Sequence, residues 1–163
     1  MYCPSCGQQT FSASTEKSFQ CRQCDFTYFH NSASAVLAII KYQDDILVAI
    51  RGREPGKGMW DFPGGFVDHD ESLEQALFRE LEEELKFQTN KALYFGSYPN
   101  TYQYKNITYK TCDAFFVIEL EQKPVFSAGD DVEAVQWVNI AELEPEKLAF
   151  TSARQALALY LAK

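Results

Sequence analysis

The sequence of 163 residues predicts an α/β fold preceded by a small metal-binding segment. Two observations predict this organisation. Between residues 32 and 163, segments with the pattern of buried strands are mixed with two amphipathic segments of helical period. Four of the five cysteines instead lie in the first 24 residues, as two C-x-x-C pairs. We therefore expect two domains, residues 1–31 and 32–163, the second a sandwich of strands and helices.

Composition and charge restrict the class of protein. A hydrophobic fraction of 46% is enough for a packed core and argues against disorder over most of the chain. The net charge of -8 argues against a general nucleic-acid binder, which needs a basic surface, although a bound metal still allows an anionic substrate. No secretory signal is visible, and the longest apolar run, Ala35–Ile40, is too short for a bilayer. These features predict a cytoplasmic protein with no membrane partner.

The N-terminal cysteines have the spacing of a metal site. Cys3 and Cys6 form one C-x-x-C turn and Cys21 and Cys24 another, with fourteen residues between the pairs. Two such turns supply the four soft ligands of a tetrahedral, structural Zn²⁺. Two disulfides or a redox pair are the alternatives, and disulfides fit a reducing compartment poorly. The fifth cysteine, Cys112, lies in an apolar strand pattern and is expected to be buried.

The elements after residue 31 follow in order along the chain. "ASAVLAIIKY" predicts a buried strand, "QDD" a turn, and "ILVAIR" its hairpin partner. "GREPGKGMWDFPGG" is rich in Gly and Pro and predicts a loop. A helix is expected from Ser72, an N-cap residue with Gln75 three positions later, to about Lys86. The segments "KALYFGSY" and "ITYKTCDAFFVIEL" predict strands separated by "PNTYQYKN", followed by a strand "EAVQWVNI" and a closing helix "TSARQALALYLA".

The helix from Ser72 carries an unusual cluster of carboxylates. Its apolar sector consists of Leu77, Phe78, Leu81 and Leu85. Glu80, Glu83 and Glu84 flank this sector, whereas Glu82 is expected to point towards solvent. A solvated acidic face is the ordinary interpretation, but like charges near the negative end of the helix dipole repel one another. A hard cation such as Mg²⁺ or Mn²⁺ removes this conflict, because it prefers carboxylate oxygens.

At this point the residues resemble a known family. "GFVDHDESLEQALFRELEEELKF", residues 65–87, resembles the Nudix box, G-x5-E-x7-R-E-U-x-E-E-x-G-U with U apolar. The positions that match are Gly65, Glu71, Arg79, Glu80, Leu81, Glu83, Glu84 and Phe87. Lys86 departs from the pattern, where a glycine would end the helix. The resemblance implies a Nudix-type α/β/α sandwich with a mixed sheet, and hydrolysis of a nucleoside diphosphate linked to another moiety.

The resemblance also implies roles for individual residues. Glu80, Glu83 and Glu84, with the Gly64 carbonyl, would hold the catalytic Mg²⁺ or Mn²⁺. Arg79 would orient these carboxylates, and Glu71 would support the preceding loop. A carboxylate must accept the proton of the attacking water. Glu83 and Glu133, the latter expected on the loop before "AVQWV", are the candidates.

The identity of the diphosphate substrate is less well defined by the sequence. A zinc ribbon ahead of a Nudix domain is similar in layout to NADH pyrophosphatases, but "GSYPNTYQY" lacks most of their S-Q-P-W-P-F-P signature. The expected substrate is therefore NADH, ADP-ribose or a related dinucleotide. Tyr102 is a candidate for stacking on a base, with ordinary packing as the alternative. Arg51 and Arg53 are candidates for phosphate binding, with solvated surface charges as the alternative.

Two other classes of function are compatible with these patterns. One is a non-catalytic Nudix protein that binds a nucleotide and signals through its zinc ribbon. The other is a zinc-ribbon adaptor for protein or RNA, which the balanced charges of the ribbon and the acidic chain argue against. The small-molecule substrate is the expected partner, without nucleic acid, and a homodimer stays open.

Overall fold

The computed structural model describes residues 1–126 and 132–162. The chain divides into two compact units, Met1–Ser32 and Ala33–Lys163. The first unit contains an antiparallel sheet of three short strands, β1 (Phe11–Thr15), β2 (Ser18–Cys21) and β3 (Thr27–Phe29). Its small core consists of buried Cys3, Phe11 and Cys21. With so little apolar area to bury, a unit of this size ordinarily depends on a metal or a cross-link.

The second unit combines a sheet with two helices. Its strands are β4 (Ala33–Tyr42), β5 (Asp45–Arg51), β6 (Trp60–Asp61), β7 (Gly64–Phe66), β8 (Leu93–Tyr104), β9 (Ile107–Glu119) and β10 (Val132–Asn139). Its helices are α1 (Leu73–Leu85) and α2 (Thr151–Leu161), with short 3-10 turns at Ile140–Glu142 and Pro145–Lys147. The order β10-β5-β4-β9-β8 is mixed, because β4 and β9 are parallel whereas their other neighbours are antiparallel. The expectation of an α/β fold with a mixed sheet is confirmed.

Alternate residues of the central strand β4 place one helix on each face of the sheet. Val36, Ala38 and Ile40 belong to the cluster that contains the apolar face of α1. Leu37 and Ile39 belong to a second cluster, which contains buried residues of α2. Successive side chains of a strand point to opposite faces, so a continuous apolar run of this kind requires cover on both sides. The layers are therefore helix, sheet and helix.

Helix α1 begins and ends close to the predicted positions. The Ser72 side chain accepts a hydrogen bond from the Gln75 amide, and the Gln75 side chain accepts one from the Ser72 amide, completing the predicted capping box. At the other end, Lys86 adopts a left-handed conformation with φ 54°. Its amide bonds to the carbonyls of Leu81 and Glu82, and the Phe87 amide bonds to Leu81. A lysine therefore makes the turn that glycine makes in the Nudix pattern.

Three expectations about strand boundaries and core burial differ from the structure. The segment expected to separate two strands, residues 99–106, continues β8 as far as Tyr104, and the loop expected at residues 52–65 contains β6 and begins β7. Pro99 is tolerated in β8 because, among the described residues, this strand lies at the edge of the sheet and pairs on one side only. Cys112, expected to be buried, is exposed on β9. No helix of the described residues is long and apolar enough to cross a membrane.

Candidate active site

A cavity of about 270 Å³ in the second unit brings most of the predicted site residues together. Its walls include parts of β4, β5, β7, β9 and α1. The predicted residues that line it are Arg51, Arg53, Gly64, Glu80, Glu83, Glu84 and Tyr102. The carboxylates expected to hold a cation and the arginines expected to meet phosphates therefore face one space.

Arg79 organises the carboxylates at one end of this site. Its guanidinium forms two hydrogen bonds with Glu71, at 2.6 and 3.2 Å, and a third with Glu80 at 2.8 Å. Glu83 lies 3.4 Å from the same nitrogen that contacts Glu80. The hydrogen bonds from Arg79 hold the pKa of Glu71 below its usual value. Glu71 also accepts from the Asp68 amide at 2.6 Å, so it ties the loop before α1 to Arg79.

Glu80 is half-buried beneath the backbone of β7. Burial raises the pKa of its carboxyl group, and the hydrogen bond from Arg79 opposes this shift. A Cβ atom placed on Gly65 would lie 2.4 Å from Glu80 Oε1. The absence of a side chain at Gly65 therefore makes room for the Glu80 carboxylate.

Glu84 is buried, with 9% of its surface exposed, and is held by a hydrogen bond from β7. One of its oxygens accepts a hydrogen bond from the Gly64 amide at 2.9 Å. Gly64 has φ +144°, and a Cβ atom there would lie 2.0 Å from the Val36 carbonyl oxygen. Only glycine fits this backbone position. The Gly64 amide is thereby placed where it donates to Glu84 and holds this side chain against β7. Glu80, Glu83 and Glu84 all line the cavity, and carboxylate oxygens are the ligands that Mg²⁺ or Mn²⁺ prefers.

Arg51 lies inside the cavity wall and not on a solvated loop. Its guanidinium bonds to Asp61 and to the Pro55 carbonyl, both at 2.7 Å, and lies 4.6 Å from the centre of the Phe150 ring. Burial raises the pKa of Asp61 to about 6, although the charge of Arg51 opposes this shift. Arg53 is exposed and also lines the cavity. Arg51 is therefore held in place by the protein itself.

Tyr102 belongs to an aromatic group beside the arginines. Its ring centre lies 5.5 Å from that of Phe66 and 5.7 Å from that of Phe150. All three rings line the cavity. Such a group can pack against a flat ligand as well as against itself.

Glu133 differs most from its expected position. It is the second residue of β10 and does not lie on a loop. The pairing with β5 shifts there, because Val132 pairs with Arg51 and Ala134 with Ile50, which leaves Glu133 as the extra residue of a bulge. Its side chain is exposed and is not among the described residues that line the cavity, whereas Glu83 is.

Five polar residues that line the cavity were not predicted. They are Asp61, Asp68, Asn100, Thr111 and Asp113. Asp61 lies in the segment expected to be a loop, and Asn100 in the segment expected to separate two strands. Thr111 and Asp113 occupy alternate, buried positions of β9, directly before an apolar run that begins at Ala114. The signal that could have identified Thr111 and Asp113 is a pair of polar residues two positions apart, which places both side chains on the same face of a strand that continues into the core.

Glu82 also differs from its expected position. It is half-buried, and its buried Oε2 atom has no hydrogen-bond partner among the described residues.

The four N-terminal cysteines fit a metal site in the first unit. Their sulfur atoms all lie within 4.8 Å of one another, and among the described residues no other group of three or more His, Cys, Asp or Glu ligands is so close. The sulfurs of Cys3 and Cys24, and of Cys6 and Cys21, are 3.7 Å apart, too far for a disulfide. The Thr10 hydroxyl lies 3.1 Å from the Cys21 sulfur and lowers the pKa of this thiol. Lower pKa favours the thiolate form that metals bind. Although a backbone hydrogen bond with Gln8 opposes the shift, burial and the neighbouring thiols raise the pKa of Cys6 to about 12.

The chain resembles proteins of known family along nearly its whole length. Residues 31–160 match the family described as NUDIX domain. A NAD-capped RNA hydrolase NudC of Pseudomonas fluorescens is 24% identical over 162 residues, which are 99% of this chain and 56% of that protein. The chain thus spans about half the length of the curated relatives that it matches.

Two solved structures show the same fold. A NUDIX hydrolase from Nitrosomonas europaea superposes with a TM-score of 0.69, at 21% identity, over 99% of this chain and 90% of the other. A bifunctional NMN adenylyltransferase/ADP ribose pyrophosphatase from Francisella tularensis, complexed with AMP and a manganese ion, has a TM-score of 0.63 at 25% identity, over 82% of this chain and 42% of the other. Fold, motif and family match agree. This chain belongs to the NUDIX domain family.

Proposed function

We propose that this protein is a Nudix pyrophosphohydrolase that cleaves the pyrophosphate bond of a nucleoside diphosphate linked to another moiety. The observation that carries the proposal is that Glu80, Glu83 and Glu84 line one cavity with Arg51 and Arg53. Acidic groups that suit a cation and basic groups that suit phosphates share a single space. The names of the relatives, a hydrolase of NAD-capped RNA and an ADP ribose pyrophosphatase, support this class of substrate.

The cation that we propose at this site is Mg²⁺ or Mn²⁺, held by Glu80, Glu83, Glu84 and the Gly64 carbonyl. When bound, it would neutralise charge on the diphosphate and lower the pKa of a water molecule. Arg79 and Glu71 act as positioning residues, because Arg79 holds Glu80 and Glu83 by hydrogen bonds and Glu71 holds Arg79. The manganese ion in the Francisella structure supports this choice of metal.

The remaining residues contact the substrate. Arg53 meets the phosphates, and Arg51, whose guanidinium is anchored by Asp61, adds positive charge to the wall. Tyr102 packs against the base within its aromatic group. Glu83 accepts the proton of the attacking water, because it lines the cavity and its side chain is half exposed. Glu133 is the second candidate for this role.

The candidate substrates are NADH, ADP-ribose and related dinucleotides. The relatives add NAD-capped RNA, so the expectation that nucleic acid is not a partner needs its own test. In the first unit we propose that the four cysteines bind one structural Zn²⁺.

One screen tests the proposal. The full chain is incubated with Mg²⁺ or Mn²⁺ and with NADH, ADP-ribose or NAD-capped RNA, and products are identified by mass spectrometry. We expect cleavage of at least one substrate at its pyrophosphate bond. Glu84→Gln should reduce kcat by more than about 100-fold, since even the partners of metal ligands contribute 10- to 100-fold.

Glu82→Gln is the matched control, because it makes the same change of charge in the same helix outside the proposed donor set, and it should keep its activity. Tight nucleotide binding without cleavage would favour the nucleotide-sensing alternative. Absence of both binding and cleavage would overturn the proposal.

A further inference from the structure

Two side chains of β9 form a second polar part of the cavity. Neither of them is among the proposed metal ligands. Thr111 and Asp113 are each 4% exposed, and both line the cavity. Thr111 Oγ1 and Asp113 Oδ1 are buried and have no hydrogen-bond partner among the described residues. We refer to Thr111 and Asp113 as the β9 polar pair.

Such atoms are costly to bury. Most buried polar groups in folded proteins have a partner, and one left without a partner loses the hydrogen bonds that water would supply. Only one oxygen of the Asp113 carboxylate has a hydrogen-bond donor among the described residues. Ser152 on α2 donates to Oδ2 at 2.5 Å, whereas Oδ1 has no donor. This bond fixes the carboxylate and leaves Oδ1 for another donor. A purely structural link between β9 and α2 would not require Oδ1 or the Thr111 hydroxyl.

The charges around the β9 polar pair define what can bind there. The nearby Arg51 is engaged by Asp61, at 2.7 Å, so two carboxylates share this region with one guanidinium. A phosphate would therefore be repelled from Asp113. A neutral or cationic group with an N–H or O–H donor would instead satisfy Oδ1.

The surroundings favour a flat ring over a sugar. Phe62, Phe66, Tyr102 and Phe150 line the same cavity. Bases are commonly read by hydrogen bonds to their edge while aromatic side chains cover their faces. Asn100, which also lines the cavity, is paired with Thr111 across β8 and β9 and adds a side-chain amide to the polar end.

The sheet register places both ends of a nucleotide within one site. Asp113 pairs with Ala35 of β4, and Ala35 pairs with Phe66 of β7, the residue after Gly65. Two strand spacings, about 10 Å, therefore separate Asp113 from the strand that covers Glu80. Because the glutamates and the β9 polar pair line the same cavity, a ligand with its phosphates at the glutamates can extend through this cavity to Thr111 and Asp113.

We propose that Thr111 and Asp113 recognise the nucleobase of the substrate, with Asp113 accepting a hydrogen bond from an N–H group on the edge of the base. The pair determines specificity and does not take part in the cleavage step. This inference rests on the proposed function for the identity of the ligand as a nucleotide.

Binding of nucleoside monophosphates tests the inference without cleavage, because these ligands have no pyrophosphate bond. Dissociation constants are measured by calorimetry, in Mg²⁺, for AMP, IMP, GMP and CMP, and for purine riboside 5′-monophosphate, which has no N–H donor on that edge. We expect at least one of the four to bind about 10- to 100-fold more tightly than purine riboside 5′-monophosphate. Equal affinities in the wild-type protein would overturn the inference.

Variants assign the preference to the β9 polar pair. Asp113→Asn keeps the shape and an acceptor for Ser152 but turns a donor towards the ligand, so it should abolish the preference. Thr111→Val should weaken it. The controls Asp44→Asn and Thr108→Val make the same chemical changes at exposed positions and should retain it. A preference that survives Asp113→Asn would overturn the inference.

Two further comparisons separate the competing explanations. If the 2′-deoxy analogue of AMP loses affinity in the wild-type protein but not in Asp113→Asn, the donor is a ribose hydroxyl and the base assignment is wrong. If N–H-bearing monophosphates are preferred but no dinucleotide is cleaved, recognition stands and the proposed function fails. The reverse result, cleavage without any preference among bases, leaves the proposed function and removes this inference.

Discussion

Gly64 and Gly65 are adjacent in β7, and each lacks a side chain for a different physical reason. Gly64 has a positive φ, and a Cβ atom there would meet the backbone of Val36. At Gly65 the three atoms nearest to a Cβ atom all belong to the carboxylate of Glu80, the flexible end of a side chain. The first glycine is therefore required by the fold and the second by the site.

Alanine at each glycine should separate these two requirements. Gly64→Ala combines a strained φ with a backbone clash and should lower the free energy of unfolding by about 3 kcal/mol or more. Gly65→Ala should cost much less stability but displace Glu80. The Mg²⁺ concentration for half-maximal activity should then rise about 10-fold or more. Urea titrations and metal titrations measure the two effects, and a Gly65→Ala protein with unchanged Mg²⁺ dependence would contradict the proposed role of Glu80.

The proton acceptor is also decided at the scale of single residues. Glu83 lines the cavity, whereas Glu133 is exposed in a bulge of β10. If Glu83 is the base, Glu83→Gln should lower kcat by about 10²- to 10⁴-fold even at saturating substrate and Mg²⁺. Glu133→Gln should then have little effect. Rescue of Glu83→Gln by excess Mg²⁺ would make Glu83 a metal ligand only and move the role of base to Glu133.

At the scale of elements, the end of α1 carries a measurable strain. Lys86 occupies a left-handed conformation that costs an L-residue about 1–2 kcal/mol. Its side chain donates a long hydrogen bond to the Glu83 carbonyl at 3.3 Å. Lys86→Gly should therefore raise the free energy of unfolding by about 1 kcal/mol. Lys91→Gly, at a lysine with ordinary φ, should lower it slightly. Urea denaturation of both variants measures the difference, and destabilisation by Lys86→Gly would show that the side chain matters more than the strain.

Elements that local pattern determines were predicted well, and those that tertiary pairing determines were not. The capping residues Ser72 and Gln75 lie next to the helix that they start, so its beginning is readable from sequence. The continuation of β8 past Pro99 depends on pairing with β9, which local turn residues do not reveal. The bulge at Glu133 likewise depends on the register with β5.

The site residues that could be predicted from the sequence are likewise those whose position depends on local pattern. Glu80, Glu83 and Glu84 belong to one contiguous motif, so their position at one cavity was predictable from helical spacing, whereas that of Glu82 was not. Thr111 and Asp113 join the cavity only because β9 pairs with β4 and β8. No short-range pattern links them to Glu80, which is more than 25 residues away in the chain.

At the scale of the whole molecule, the two units have cores of very different size. The second unit has two apolar clusters, one on each face of its sheet. The core of the first unit has three buried residues, two of which belong to the four-cysteine cluster. Domains below about 40 residues usually require a metal or disulfides, so the fold of the first unit should depend on its metal.

The purified protein should accordingly contain about one zinc per chain, bound by the four cysteines. Cys21→Ser should lose the zinc. Hydrogen exchange at the amides of β1–β3 should then become fast, because the first unit has little other core to hold these strands. Exchange in β4 and β9 should stay slow, since their protection comes from the core of unit 2. Cys112→Ser, at an exposed cysteine outside the cluster, should keep both zinc and protection. Protected β1–β3 amides in zinc-free protein would show that this unit folds without a metal and would leave its cysteines unexplained.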